Sequence, residues 1–286
     1  MNKALVIGAN GQLGSDLMKS FSTKYDVIGV THSEIEVADI NSVKKIIEDI
    51  KPFVVLNTAA YHNVPTCEIN PEKSYAVNAF GALNVAKVAE SLSAINIYYS
   101  TDYIFDGYKL NPYFESDLPN PLNIYGNSKL AGEFNTLNYS SKSYVLRISG
   151  IYGKVVCRAK GKNFVTTMLN LSKNKDILKV VDDEILTPTS TQEIADKTVE
   201  LLSSDNFGLY HFTAEGACSW YDFAVKIFDV LGIKISVERA KSADFDNSVK
   251  RPLYSVLENR KYNEMSLSKF SEWDFALEMF LKENYL

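Results

Sequence analysis

The sequence predicts an α/β fold, a doubly wound parallel sheet with a smaller, mostly helical lobe after it, and three observations carry that expectation. Apolar runs of strand length alternate with helical patterns from residue 3 to residue 148. Their connections are longer than hairpin turns, so the strands run parallel. A glycine-rich loop, Gly8 to Gly14, lies between the first strand and the first helix, which makes the sheet Rossmann-like: glycines there let backbone approach a pyrophosphate at the positive end of the helix. After Gly153 the rhythm changes. The division expected is a nicotinamide-dinucleotide domain over residues 1–153 and a substrate-binding lobe over 154–286, interleaved with the end of the sheet.

Composition sets the limits. A chain of 286 residues, 46% hydrophobic, suggests one or two domains at roughly 150 residues each and a sizeable core. A net charge of -5 provides no basic field for nucleic acid or anionic lipid. The apolar run at residues 4–7 is too short for a signal-peptide core, and no later run approaches the ~20 apolar residues of a membrane span; a cytoplasmic protein is expected, with a homodimer as a candidate assembly. Cys67, Cys157 and Cys218 form no CxxC pair, which fits a reducing compartment. His32, His62 and His211 are scattered, so no metal site is expected, and His211 reads as a core or edge-strand histidine.

Residues 3–7 form the first strand, and the loop after it makes Gly8, Asn10, Gly11, Gln12, Leu13 and Gly14 candidate cofactor contacts. Residues 25–30 read as the second strand. An acid at its end would bond the adenosine ribose and repel a 2′-phosphate; Thr31-His32-Ser33 stands there instead, so NADP is favoured weakly over NAD, with use of both. Asp39-Ile40 precedes a helix over 43–50, where Asp39 is either an adenine contact or a helix-leading turn residue. Residues 53–57 are a continuous apolar run of the kind buried on both faces of a parallel sheet. Thr58 follows it, then Ala59, Ala60 and Tyr61, where small residues let a cofactor lie against backbone. A long helix is expected over 71–91. Asn78 inside it needs partners, from a neighbouring loop or from the cofactor side.

Residues 95–100 form the fourth strand and deliver Thr101, Asp102 and Tyr103 at its carboxyl end, where open α/β sheets place their ligands. Thr101 either donates to a substrate carbonyl or simply ends the strand. A proline-containing loop then leads to Tyr125-Gly126-Asn127-Ser128-Lys129, which sets a phenol and an ammonium at i and i+4 on one helix face. A phenol titrates near pH ~10 and a nearby cation favours its ionised form, so the pair is suited to acid/base work. Seventeen tyrosines make that spacing an easy accident; its place after a dinucleotide loop and a strand ending in Thr101 is what singles it out. Residues 144–148 give a further strand.

Beyond Gly153, residues 154–162 form a basic loop, either a phosphate contact or a solvated surface. Helices are expected from Asn163 to Leu171, from a capping box at Ser190 and Glu193, and from Ser219 to a stop at Gly232, with a strand over 178–181.

Set together, GANGQLG (Gly8 to Gly14), NTAAY (Asn57 to Tyr61), STDYIFDG (Ser100 to Gly107), PLNIYGNSKLAGE (Pro121 to Glu133), KNFVTTML (Lys162 to Leu169), VVDDEILTPTS (Val180 to Ser190), SWYDFA (Ser219 to Ala224) and Arg251-Pro252 followed by SVL make the chain resemble the extended short-chain dehydrogenase/reductases. Within them it resembles the dTDP-4-dehydrorhamnose reductase family. The resemblance runs through nearly the whole chain and implies NAD(P)H-dependent reduction of the 4-keto group of a nucleotide-activated deoxysugar, for surface polysaccharide synthesis. It implies a triad of Thr101, Tyr125 and Lys129, with Tyr125 protonating the carbonyl while Lys129 holds the nicotinamide ribose and lowers the Tyr125 pKa. It also implies that Asp102, Tyr103 and Asn163 face the sugar nucleotide.

Two stretches depart from the family's pattern. Ser149-Gly150-Ile151-Tyr152-Gly153 has Gly150 where the family often carries Trp, so the sugar pocket is expected either to be wider or to be rebuilt from Tyr61, His62 and Tyr103. His62-Asn63-Val64-Pro65 replaces another common loop. The alternatives are a nucleotide-sugar dehydratase or epimerase, against which Asp102-Tyr103 stands where dehydratases usually carry Asp-Glu, and a regulatory subunit resembling the β subunit of methionine adenosyltransferase.

Overall fold

The structure is a computed structural model that describes residues 1–156, 161–245 and 248–286. The first half runs β1 (Lys3–Ile7), α1 (Gln12–Phe21), β2 (Asp26–Val30), α2 (Ile40–Ile50), β3 (Val54–Asn57), α3 (Val64–Ile69), α4 (Pro71–Tyr75), a π-helical turn (Ala76–Phe80), α5 (Gly81–Ser91), β4 (Ile95–Thr101), α6 (Ile124–Tyr139) and β5 (Ser143–Ile148). It continues with α7 (Phe164–Ser172), β6 (Ile177–Val181), β7 (Ile185–Leu186), α8 (Thr191–Leu201), β8 (Gly208–His211), β9 (Cys218–Ser219), α9 (Trp220–Leu231), β10 (Ser236–Ala240), α10 (Arg260–Asn263) and α11 (Trp273–Tyr285).

Six parallel strands make the main sheet in the order β2-β1-β3-β4-β5-β8. The two-residue period of a strand explains its two cores. Ala4 and Val6 of β1 and Val54 and Leu56 of β3 pack with Leu17, Phe21 and Ile194 on one face, while Leu5, Ile7 and Val55 pack with Val43, Ile47 and Val85 on the other. Burial on both faces is why these strands read as unbroken apolar runs. A third core, with Phe223, Ile227, Leu277 and Leu281 at its centre, belongs to α7, β6, α9 and α11. There β6 pairs with β10 in parallel and β7 with β9 in antiparallel. Because β8 and α8 return to the main sheet, the later half is divided between the sheet and the smaller lobe.

Local chemistry explains where the elements depart from expectation. Helix α2 begins three residues early because Asp39 caps it, its carboxylate accepting the Asn41 N–H at 2.9 Å. The long helix over 71–91 is broken by the π-helical turn around Asn78. The expected capping box at Ser190 does not form: Ser190 makes no side-chain cap, and Glu193 instead accepts the Ser271 N–H at 2.7 Å. A box does form at Asn163 with Thr166, and another at Ser219 with Asp222. His211 lies on β8, an edge strand, fully buried. The middle of the basic loop over 154–162, with Cys157, falls outside the described residues.

Candidate active site

A cleft of about 1440 Å³ opens over the carboxyl ends of β1, β3, β4 and β5. Its floor is the glycine loop. Gly8 and Ala9 donate to Val30 O at 2.8 and 3.1 Å, and Gly11 donates to Gly8 O at 2.9 Å. A Cβ on Gly14 would stand 2.2 Å from Gly8 O, so only glycine permits this close packing of turn and helix. Helix α1 starts with no side-chain cap at Gly11, which leaves its first N–H groups available to an anion. Asn10, Gln12, Leu13, Ala59, Ala60 and Tyr61 complete this part of the wall. The donor set and the bare backbone fit a dinucleotide pyrophosphate.

Three expected cofactor residues are placed elsewhere. Asp39 and Ile40 are not among the lining residues, and the Asp39 carboxylate is occupied in capping α2. Asn78 is fully buried behind the cleft; its carboxamide accepts the Tyr61 N–H at 2.8 Å and donates to Tyr61 O at 2.9 Å. It holds the backbone of the cleft wall, which answers its need for partners. At the end of β2, Glu34 folds back so that its carboxylate accepts the Thr31 N–H at 2.8 Å and the Thr31 hydroxyl at 2.9 Å, while Glu36 reaches the cleft.

The cleft brings Thr101, Tyr125 and Lys129 together. Thr101 is the last residue of β4, and Tyr125 sits in the first turn of α6, which Asn123 caps by accepting the Gly126 N–H at 2.9 Å. Both side chains line the cleft. Tyr103 stands edge-on to the Tyr125 ring, with centroids 5.9 Å apart. Burial pushes the Tyr125 phenol well above its ordinary value, and the Asp102 charge pushes the same way. The expected lowering by Lys129 is not found. Its ammonium donates to Tyr99 O at 2.6 Å and lies 4.0 Å from the centre of the Tyr98 ring. Burial brings Lys129 down to about 7, with the Glu133 charge opposing.

Behind these groups, α6 is tied to the sheet. Ser100 donates to Glu133 at 2.5 Å, and Arg147 forks onto both Glu133 oxygens at 2.7 to 3.2 Å. The Arg147–Glu133 pair is almost wholly excluded from water. Arg147 Nη1 also lies 3.4 Å from His211 Nε2.

On the expected sugar side, Asp102, Tyr103, Gly150 and Asn163 all line the cleft, but two of them are already engaged. The Asp102 carboxylate accepts the hydroxyls of Thr101, Ser149 and Ser255. Asn163 accepts the Thr166 N–H at 2.9 Å and donates to Gly153 O at 2.9 Å, so its polar atoms hold the turn together. Among the lining residues not singled out from sequence are Phe164, Glu184, Trp220 and Arg251. Trp220 stacks on Phe164 with centroids 4.5 Å apart, and its indole N–H donates to Glu184 at 3.2 Å. The Arg251 charge acts on Glu184 and Tyr103. The signal that could have found them was present, since each is a chemistry-bearing residue of a quoted motif.

A dinucleotide loop under a cleft that joins Thr, Tyr and Lys at the ends of a parallel sheet defines a nicotinamide-dependent oxidoreductase of the extended short-chain class. The family model described as "RmlD substrate binding domain" matches residues 1–286. A dTDP-4-dehydrorhamnose reductase from Aggregatibacter actinomycetemcomitans is 38% identical over 97% of this chain and 97% of its own. Among solved structures, a dTDP-4-dehydrorhamnose reductase from Clostridium acetobutylicum superposes with a TM-score of 0.95 at 38% identity, covering 99% of this chain and 100% of its own. One from Bacillus anthracis in complex with NADP superposes with a TM-score of 0.94 at 33% identity, covering 99% of each chain. The chain belongs to the dTDP-4-dehydrorhamnose reductase family.

Proposed function

We propose that the protein reduces the 4-keto group of dTDP-4-dehydrorhamnose to give dTDP-L-rhamnose for surface polysaccharide synthesis. The observation that carries this reading is the meeting of Thr101, at the end of β4, with Tyr125 and Lys129 of α6 in one cleft. When bound, the reduced nicotinamide supplies a hydride to the carbonyl carbon. The chain supplies the proton: the Tyr125 O–H breaks as the carbinol O–H forms. Burial raises the Tyr125 pKa, so the phenol carries its proton at neutral pH. The uncapped start of α1 and the backbone at Ala59 and Ala60 would hold the cofactor, and the aromatic pair Phe164 and Trp220 with Arg251 would hold the nucleotide end of the sugar.

NADPH is expected to be used somewhat better than NADH, with both accepted. The Bacillus anthracis relative in complex with NADP supports the first half. Glu36 in the cleft, with no arginine or lysine at Thr31-His32-Ser33, supports a weak preference only. The two specificity constants check this, and a large excess for NADH would contradict it. The reaction itself is tested by mixing the protein with NADPH and enzymatically prepared dTDP-4-dehydrorhamnose, following absorbance and identifying the product. Oxidation of one cofactor per sugar reduced is the expected result, and no oxidation would sink the assignment.

A further inference from the structure

In a sheet of this kind the adenosine ribose lies at the end of β2, where an acid usually takes its 2′-hydroxyl. Here the acid comes later and is folded back. Val30 closes β2, and its carbonyl accepts the Gly8 and Ala9 N–H groups at 2.8 and 3.1 Å, so Thr31 is the first residue past the point where β2 is pinned to the glycine loop. Thr31, His32 and Ser33 line the cleft. Thr31 offers two donors there, and one oxygen takes both: Glu34 Oε2 accepts the N–H at 2.8 Å and the hydroxyl at 2.9 Å. A hydroxyl has one proton to give, so in the 2.8 Å contact between Thr31 and Ser33 it is Ser33 that donates. All three protons thus point along one line, from Ser33 through Thr31 to the carboxylate. Among the described residues Glu34 has no ion pair, since the pair in this segment joins His32 to Glu36 at 3.6 Å. Glu34 is exposed, and an exposed anion held by donors alone can be replaced on them by another anion.

We propose that Glu34 is a specificity-determining residue, a displaceable carboxylate that occupies the donors of a 2′-phosphate subsite built from Thr31 and Ser33. Towards a ribose with a free 2′-hydroxyl, Glu34 stays on Thr31, and its Oε1, which has no partner among the described residues, accepts the hydroxyl. Towards a 2′-phosphate, which carries about −1.5 to −2 charge at neutral pH, Glu34 leaves for solvent, because two anions cannot share one N–H. The Thr31 N–H and the Thr31 and Ser33 hydroxyls then serve the phosphate. Loss and gain fall on the same donors and offset each other, which is a physical reason for a cofactor preference that is weak. This rests on the dinucleotide reading above: if a wild-type protein binds neither ligand named below, that reading fails, and not the choice between the two cofactors.

Titration calorimetry on the full-length protein tests the inference with ADP-ribose and its 2′-phosphate, two ligands that differ only in the group at issue and need neither turnover nor a nicotinamide. Glu34→Gln and Glu34→Ala should each move the ratio of the two affinities about tenfold towards the phosphorylated ligand, the scale of one charge-assisted hydrogen bond. The shift should come from tighter binding of the phosphate and weaker binding of the free ribose. A ratio that neither substitution moves would overturn the proposal. So would a larger shift from Glu36→Gln, since the discriminating charge would then be that of Glu36, whose carboxylate accepts the Ala38 N–H at 3.0 Å. Thr31→Val made in the Glu34→Ala protein checks the donors themselves. It should weaken the 2′-phosphate ligand several-fold, by about the worth of one hydrogen bond to a charged group, and leave ADP-ribose unchanged; equal weakening of both ligands would mean that Thr31 does not serve the phosphate and would also overturn the proposal.

Discussion

Tyr125 is the group whose removal should separate chemistry from binding. Tyr125→Phe keeps the ring that meets Tyr103 edge-on and deletes only the proton donor, so turnover should fall by ~10²-fold or more while cofactor affinity, measured by fluorescence titration, stays near wild type. Turnover close to wild type would refute the assignment. The i,i+4 spacing made Tyr125 and Lys129 legible, because a helix face is a local property. What Lys129 does was less legible, since its ammonium is set by Tyr98 and Tyr99 on β4. Gly150 shows the same limit. The sequence suggests an empty wall or one rebuilt from Tyr61, His62 and Tyr103, yet at this position φ is +51° and a Cβ would lie 2.7 Å from Leu186 Cδ1 and 3.1 Å from Pro188 Cα. Leu186 and Pro188 fill the space. Gly150→Ala should therefore cost about 1–3 kcal/mol in denaturant unfolding, and Gly150→Trp should abolish sugar turnover; an active, fully stable Trp variant would contradict this packing.

At the scale of elements, α6 is a rod carrying Tyr125 at one turn, Lys129 at the next and Glu133 at the third, and the buried Arg147–Glu133 pair fixes it against β4 and β5. Removing one partner leaves an uncompensated buried charge. Arg147→Met should destabilise the protein by about 3–5 kcal/mol in equilibrium unfolding, and adding Glu133→Gln should recover a large part of it. If the double variant is no better than the single, the pair is not the source of the loss. Glu133 falls in a motif legible from sequence, but Arg147 reads only as part of a strand, since nothing local says that it faces the helix. The π-helical turn at Ala76–Phe80 was hidden for a related reason: its cause is long-range, the Asn78 carboxamide reaching Tyr61 and Ser128.

At the scale of the whole molecule, the sheet was legible because β1 to β5 are each followed by a helix and β3, β4 and β5 are buried at every residue. In the lobe α7, β6 and α9 were legible too, whereas β7 and β9 were not, since they are two residues long and carry no periodicity. His211 sits where these parts meet. It is on β8, beside Arg147 of β5, and its Nδ1 lies 3.1 Å from Glu258 O in the later loop. Burial, with the Arg147 charge acting the same way, pushes it down to about 3 from an ordinary 6.5. An unfolded chain takes up a proton here as pH falls through about 6.5, whereas the folded chain resists until about 3. The unfolded state therefore binds more protons across that window. The contribution is whole above pH ~6.5 and drains away as the pH falls. Between pH 7 and 5 the loss is about 2 kcal/mol, from ~1.4 kcal/mol per pH unit over about 1.5 units. His211→Gln removes the titration while leaving the raised carboxyls Glu184 and Glu193 in both proteins, so their slopes cancel in the comparison. The unfolding free energy of wild type minus that of His211→Gln should thus shrink by about 2 kcal/mol on going from pH 7 to pH 5. A difference that stays constant over that range would show that His211 is protonated in the folded protein, and that Arg147 faces a second cation there.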